Sequence, residues 1–225
     1  MASELALLQA GLTAYEMNQL LLSSAYFPPP VYFSLIASAG EVNIEKWENY
    51  HKQTYRNRCN ILGANGPLTL SIPVERDSFH KTAMRDIKTD DSRKWRQVHL
   101  RSIISAYSMA PYFEFYFDVI EEIINNPAKF LLDYNMNATE KLCRCLGFNV
   151  SLGFTDHFIS SGDAENDFRY VISPKFRGHT EGYTEKPYIQ VFSDKFDFIP
   201  GLSIIDMLLN NGPGTPALLR ESLAL

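Results

Sequence analysis

The run Leu20-Leu21-Leu22-Ser23-Ser24-Ala25-Tyr26 halts at Phe27-Pro28-Pro29-Pro30, and this junction constrains the fold more than any other feature. The run is too short for a stable helix and is closed by residues that lack an N–H, so it reads as a strand. Three successive leucines leave no polar face, which is the pattern of a strand buried on both sides in a parallel or mixed sheet covered by helices. Ligands of such sheets sit beyond the carboxyl ends of the strands, here around Ser23 to Phe27.

The segments downstream extend this reading. Val31 to Ser38 follows as a helix or turn, and Glu41-Val42-Asn43-Ile44-Glu45 alternates as a second strand. Tyr55 to Leu62 and Leu68 to Val74 flank Gly63-Ala64-Asn65-Gly66, a hairpin signal in which Asn65-Gly66 supplies positive φ. Met84 to Thr89 reads as a further strand. Asp91-Ser92 predicts an N-cap for a helix from Arg93 to about Ala110, ended by Pro111. A second helix is expected over about Glu114 to Asn125, and Asn126-Pro127 is expected to start a short third one. Asn137 with Glu140 resembles a capping box for a fourth, stopping at Gly147.

Beyond Gly147 the pattern is strands (148–159, 170–172 and 188–192) and polar, Gly-containing loops (160–166 and 178–186). Leu202 to Leu209, apolar almost all round, reads as a buried helix closed by Asn211-Gly212-Pro213-Gly214. The expected fold class is α/β: a mixed sheet with an N-terminal buried strand, a β-hairpin, and a helical segment inserted between sheet portions.

Composition excludes several classes. Three Cys (Cys59, Cys143, Cys145) in 225 residues are too few for a disulfide framework, and a reduced, cytoplasmic setting is the simplest reading. Cys143 and Cys145 lack further ligands at zinc spacing, so no metal site is expected. No apolar run approaches the ~20 residues of a membrane helix, so no membrane insertion is expected. The net charge of −5 argues against an indiscriminate nucleic-acid binder.

The candidate functional residues are polar groups where the pattern calls for apolar ones. On the helix from Arg93, His99 and Arg96 fall within the arc of Val98, Leu100, Ile103, Ile104 and Tyr107, as an internal salt bridge or an anion-recognition or proton-transfer site. Asp206 lies on the buried arc of its helix, which implies a partner, most naturally an arginine. Glu45 to Asn60 is the richest polar segment. Alternation in a strand from Tyr55 puts Arg56, Arg58 and Asn60 on one face and Tyr55, Asn57 and Cys59 on the other. Arg56 beside Arg58 could clamp a phosphate or carboxylate. Ser23-Ser24 at a strand end could hold a nucleophile, although no base is placed beside it. P-loop, dinucleotide-binding, G-x-S-x-G and H-E-x-x-H signatures do not occur.

Leu22-Ser23-Ser24-Ala25-Tyr26-Phe27-Pro28-Pro29, Asn49 to Arg58, Leu70-Ser71-Ile72-Pro73-Val74, Trp95 with His99, Tyr107 with Pro111-Tyr112-Phe113, and Leu202 to Asp206 together resemble the WbqC-like protein family. Many of its members read His-Gln-Pro where Ser23-Ser24-Ala25 stands, so chemistry assigned to that histidine is not carried over. Relatives often begin near Met17. The resemblance thus implies an N-terminal extension (1–16, with Leu5, Leu8, Leu12 and Tyr15 at helical spacing) and one α/β domain over 17–215. It further implies a bacterial cytoplasmic protein of surface polysaccharide (O-antigen) biosynthesis, transferring glycine or another acyl group to an amino sugar. Its partner would be a sugar or nucleotide-sugar substrate. In that scheme His99 and Tyr26 are the catalytic candidates, with backbone N–H groups after Tyr26 as oxyanion donors. Ser23, Ser24, Tyr50, Arg56, Asn57, Arg58, Arg96 and Asp206 are the substrate-binding candidates. The alternatives are a non-catalytic accessory protein that binds the sugar and, on the strand-then-proline loop alone, a nucleotidyl-transferring enzyme. Nothing in the pattern names a cofactor or an oligomeric state.

Overall fold

A computed structural model describes residues 17–75, 81–175, 178–180 and 182–223. Residues 1–16, the expected extension with its helical spacing of Leu5, Leu8, Leu12 and Tyr15, lie outside the described residues.

The N-terminal run forms β1 (Met17–Ser23), followed by α1 (Pro30–Ala37) and β2 (Ala39–Glu45). β1 and β2 are parallel, with Leu22 opposite Ile44 and Ser23 opposite Glu45. Leu20, Leu21 and Leu22 are all buried, as a strand covered on both faces requires. The chain leaves β1 through Phe27, whose φ of 40° is left-handed. This conformation is rare outside glycine, and here it precedes three prolines that fix the entry into α1.

The long excursion between β2 and the next sheet strand is the inserted segment. It contains the antiparallel hairpin β3 (Arg58–Gly63) and β4 (Gly66–Ser71), then α2 (Trp95–Tyr107), α3 (Phe113–Ile124) and α4 (Leu131–Cys145). β5 (Ser151–Phe154) then returns parallel beside β2, giving the order β1-β2-β5. The fold class is therefore mixed α/β, with parallel and antiparallel sheets and an inserted helical segment. Downstream come a two-residue-strand hairpin, β6 (His179–Thr180) and β7 (Tyr183–Thr184), then α5 (Ile204–Asn211) and α6 (Thr215–Glu221). Ser203 caps α5, accepting from the Ile205 N–H, and the Ser203 N–H bonds the Asn60 carbonyl of β3. α6, a helix the sequence pattern did not suggest, covers α1, with Ser34 Oγ donating to the Leu219 carbonyl. Buried side chains from Leu20 to Leu219 join into one hydrophobic cluster.

Several local expectations are corrected. β3 begins at Arg58, not Tyr55, because residues 54–57 turn and the Asn57 N–H bonds the Thr54 carbonyl. Arg56 therefore does not share a strand face with Arg58. Met84–Asp86 is a 3-10 turn, with isolated bridges from Lys88 and Thr89. α2 starts at Trp95 without a side-chain cap, because Asp91 turns its carboxylate to Trp95 Nε1 and Arg96 instead. Val98 and Ile104 are exposed, so the inward arc of α2 is narrower than its apolar pattern suggests. The expected third and fourth helices are one. Asn126 Oδ1 accepts from the Ala128 N–H and holds a loop, Asn137 sits inside α4, and Gly147 at φ 69° ends it. Residues 170–172 and 188–192 are not strands, and the 178–186 loop contains β6 and β7.

Candidate functional site

A cleft of about 260 Å³, part of it open to solvent, lies at the carboxyl end of β1, where the sequence places it. Ser23, Ser24, Tyr55, Arg56, Phe168 and Arg169 are among its walls. The position follows from the sheet. Parallel strands end on one edge, and the segments that follow β1 and β2 meet there, the Tyr26 N–H bonding the Tyr55 carbonyl.

Two ion networks build the floor. Glu48, just past β2, receives Arg56 in a fork: Nε to Oε1 at 2.9 Å and Nη2 to Oε2 at 2.5 Å. Ser23 Oγ lies between them, accepting from Arg56 Nη2 at 2.7 Å and donating to Glu48 Oε2 at 3.1 Å. Glu45, at the end of β2, accepts from the Trp47 and Ile159 backbone N–H groups, Thr155 Oγ1 and Arg169 Nη1. Arg169 also donates to Asp167 through Nε and Nη2. Glu45, Glu48, Arg56 and Arg169 are all buried, and bidentate pairing is what makes buried charges tolerable. Arg169 is delivered by a segment that pairs with the free edge of β1, the Phe168 N–H bonding the Leu21 carbonyl.

Ser23, Ser24 and Arg56 thus meet at the cleft. His99 and Tyr26 pack behind it. Both are buried, with Tyr26 Oη 2.8 Å from His99 Nδ1, and Trp95 and Tyr134 packed against them at 5.1 to 6.0 Å between ring centroids. Burial lowers the His99 pKa from 6.5 to about 4, against the smaller upward effect of a hydrogen bond to the Ser71 backbone. A ring N–H given to Ser71 leaves Nδ1 as the acceptor, so Tyr26 is the donor and the imidazole is neutral. Burial likewise holds the Tyr26 hydroxyl well above its ordinary pKa. The backbone after Tyr26 offers little to an oxyanion, since residues 28–30 are prolines and Phe27 is fully buried.

The other candidates scatter. Arg96 binds Asp91 and the Asn126 carbonyl and stacks on the Trp95 ring at 4.4 Å. Asn57 Nδ2 donates to the Ile72 carbonyl. Arg58 opens β3 opposite Ser71, and its buried Nε has no partner among the described residues. Tyr50 is pushed to about 12, chiefly by burial and against the pull of Arg58 and Arg56. Asp206 is fully buried but has no arginine. It accepts from Tyr107 Oη at 2.7 Å, Tyr188 Oη at 2.6 Å and Gln190 Nε2 at 3.2 Å. Burial raises its pKa, and these three bonds oppose the rise. Phenols and an amide satisfy a carboxylate here because Tyr107, on α2, also accepts from the Leu62 N–H and so ties three elements together.

Glu45 and Glu48 fall in the polar segment that the sequence marks but had no role assigned there, and Arg169 and Asn135 were not singled out. A carboxylate at the end of a doubly buried strand was a usable signal for Glu45. Arg169 sits in a loop that nothing in its neighbours marks. Among the described residues, no helix is long and apolar enough to cross a membrane.

The uncharacterized protein Rv1507c of Mycobacterium tuberculosis (strain H37Rv) is 26% identical over 224 residues, covering 89% of this chain and 96% of that one. No solved structure matches the chain. The WbqC-like protein family matches residues 23–180, a span that holds both ion networks and the Ser23-Ser24 strand end but not Asp206. The chain belongs to the WbqC-like protein family.

Proposed function

We propose that the protein acts in the cytoplasm on an amino-sugar intermediate of surface polysaccharide (O-antigen) synthesis, free or nucleotide-linked, and transfers glycine or another acyl group to it. The amine nitrogen would attack the carbonyl carbon of an activated acyl donor, the leaving group departing with its electron pair and the amine giving up a proton. The observation that carries this reading is the cleft at the carboxyl end of β1, which brings the Ser23 and Ser24 hydroxyls together with Arg56. Arg56 and Glu48 fix Ser23 Oγ, a preorganisation that suits orientation of a polar substrate. In this reading His99 and Tyr26 are positioning residues that hold the 23–27 turn, since a neutral imidazole bonded to Tyr26 does not face the cleft.

A second reading, recognition of the sugar without turnover, is favoured by one observation. Glu48 is the acceptor nearest Ser23, and both of its carboxylate oxygens are already engaged by the Arg56 fork. One experiment separates the two. The protein is screened by thermal shift against nucleotide amino sugars, and mixtures with acyl thioesters, or glycine and ATP, are analysed by mass spectrometry. A ligand at ~100 times its dissociation constant adds about 2.7 kcal/mol, a visible shift. An acylated sugar that disappears with Ser23→Ala supports transfer. Binding without product supports recognition, and absence of binding across the screen overturns both.

A further inference from the structure

Asn135, on α4, is fully buried, and its Nδ2 donates twice: to the Arg56 carbonyl at 2.8 Å and to Ser24 Oγ at 3.3 Å. The Arg56 carbonyl is only an acceptor, so the amide cannot be flipped without setting two oxygens against each other. That orientation leaves Asn135 Oδ1 buried with no partner among the described residues. It also decides the state of Ser24. Its Oγ accepts from Asn135, so its own proton has no acceptor among the described residues, although Ser24 is buried and lines the cleft. A free donor and a free acceptor therefore lie side by side at the carboxyl end of β1. A buried donor or acceptor left unmade is costly, so the pair is built for something that satisfies both.

We propose that Ser24, which lines the cleft, and Asn135, packed behind it, form a two-point recognition site for a secondary amide, the ligand carbonyl accepting from Ser24 Oγ–H and the ligand N–H donating to Asn135 Oδ1. This deepens the reading above and rests on it for the sugar. There the amide is an acetamido group on the sugar or the amide that aminoacyl transfer forms. The neighbouring hydroxyl, Ser23, is already committed to Glu48 and Arg56, which leaves Ser24 as the hydroxyl able to discriminate.

The test separates the amide from the sugar. N-methylacetamide, which carries the amide alone, is titrated into the protein while the Asn135 side-chain N–H resonances are followed by NMR. A saturable shift in the wild type, weakened about tenfold in Ser24→Ala, is expected from loss of one hydrogen bond. An absent shift, or one that Ser24→Ala leaves unchanged, overturns the proposal and assigns the pair to a buried water. In parallel, N-acetylglucosamine is compared with 2-deoxyglucose, which has the ring but no acetamido group. A preference of about tenfold that vanishes in Ser24→Ala supports the pair acting on a sugar. Equal binding of the two sugars overturns the amide site and leaves the sugar reading standing. An amide response with neither sugar bound overturns the sugar reading and leaves the site.

Discussion

Glu185 and Asp206 place two carboxylates in the interior near the N-terminus of α5, with no cation paired to either among the described residues. Asp206 has three donors, whereas Glu185 has one, the Gly201 N–H at 2.9 Å on Oε2, and its Oε1 is without a partner. Burial first, opposed by the Gly201 bond and reinforced by Asp206, raises the Glu185 pKa from 4.5 to about 7. Between those values the folded protein holds a proton that the unfolded chain has released, so stability falls as pH rises from about 4.5 to 7 and is level beyond. The interval corresponds to about 3 kcal/mol. Glu185→Gln keeps the shape and the acceptor for Gly201 but cannot ionise. It should match its parent near pH 4 and exceed it by about 3 kcal/mol at pH 8. The assay is urea denaturation followed by far-ultraviolet circular dichroism at steps from pH 4 to 8. The difference between the two proteins must be read, because His99 acts oppositely. With its pKa lowered from 6.5 to about 4, it adds stability that is present above 6.5 and lost as pH falls. The two slopes offset one another in the wild type over much of the acidic range. A difference that stays constant across the pH series refutes the argument.

Three further outcomes follow from the geometry. Glu48→Ala leaves the Arg56 guanidinium buried and unpaired and should cost about 3–5 kcal/mol in urea denaturation, most of it regained in the double variant Glu48→Leu, Arg56→Met; an unchanged midpoint for Glu48→Ala refutes the pairing. Gly212 sits at φ 51°, and a Cβ there would lie 2.5 Å from the Tyr112 ring, so Gly212→Ala should lower stability by about 1–3 kcal/mol, less in a Tyr112→Ala background; equal losses in both backgrounds would count against the clash. His99 should show a neutral ring with Nδ1 unprotonated in ¹⁵N spectra at pH 6, and Tyr26→Phe should cost about 1 kcal/mol. A titration of His99 near 6.5 would contradict its burial.

The sequence alone located the sheet and the strand edge at which the cleft lies. Three adjacent leucines before a proline block admit one reading, a doubly buried strand, and the ligand edge of a parallel sheet follows from chain direction. The hairpin was legible for the same local reason, since Asn65-Gly66 sets a turn and the flanking alternation sets a register. The resemblance to the WbqC-like family was legible too, because it rests on short ordered segments rather than on packing.

What each polar side chain does was decided only in three dimensions. Arg56 and Arg58 are two residues apart and read as a clamp. Yet a single turn at Thr54–Asn57 sends one to Glu48 and leaves the other at the start of β3. Asp206 demanded a partner, and sequence chemistry named arginine. The fold instead brought Tyr107 from 99 residues away and Tyr188 and Gln190 from a loop, because three neutral donors satisfy a buried carboxylate without a second charge to desolvate. His99 looked like a base because imidazole titrates near neutrality, and tertiary burial removed that property. Local pattern marks most of the inward residues, though it also turns inward Val98 and Ile104, which the fold leaves exposed. Which partners they find there depends on contacts that span the whole chain, such as Ser24 with Asn135 across 111 residues, and no window of sequence contains both ends of such a bond.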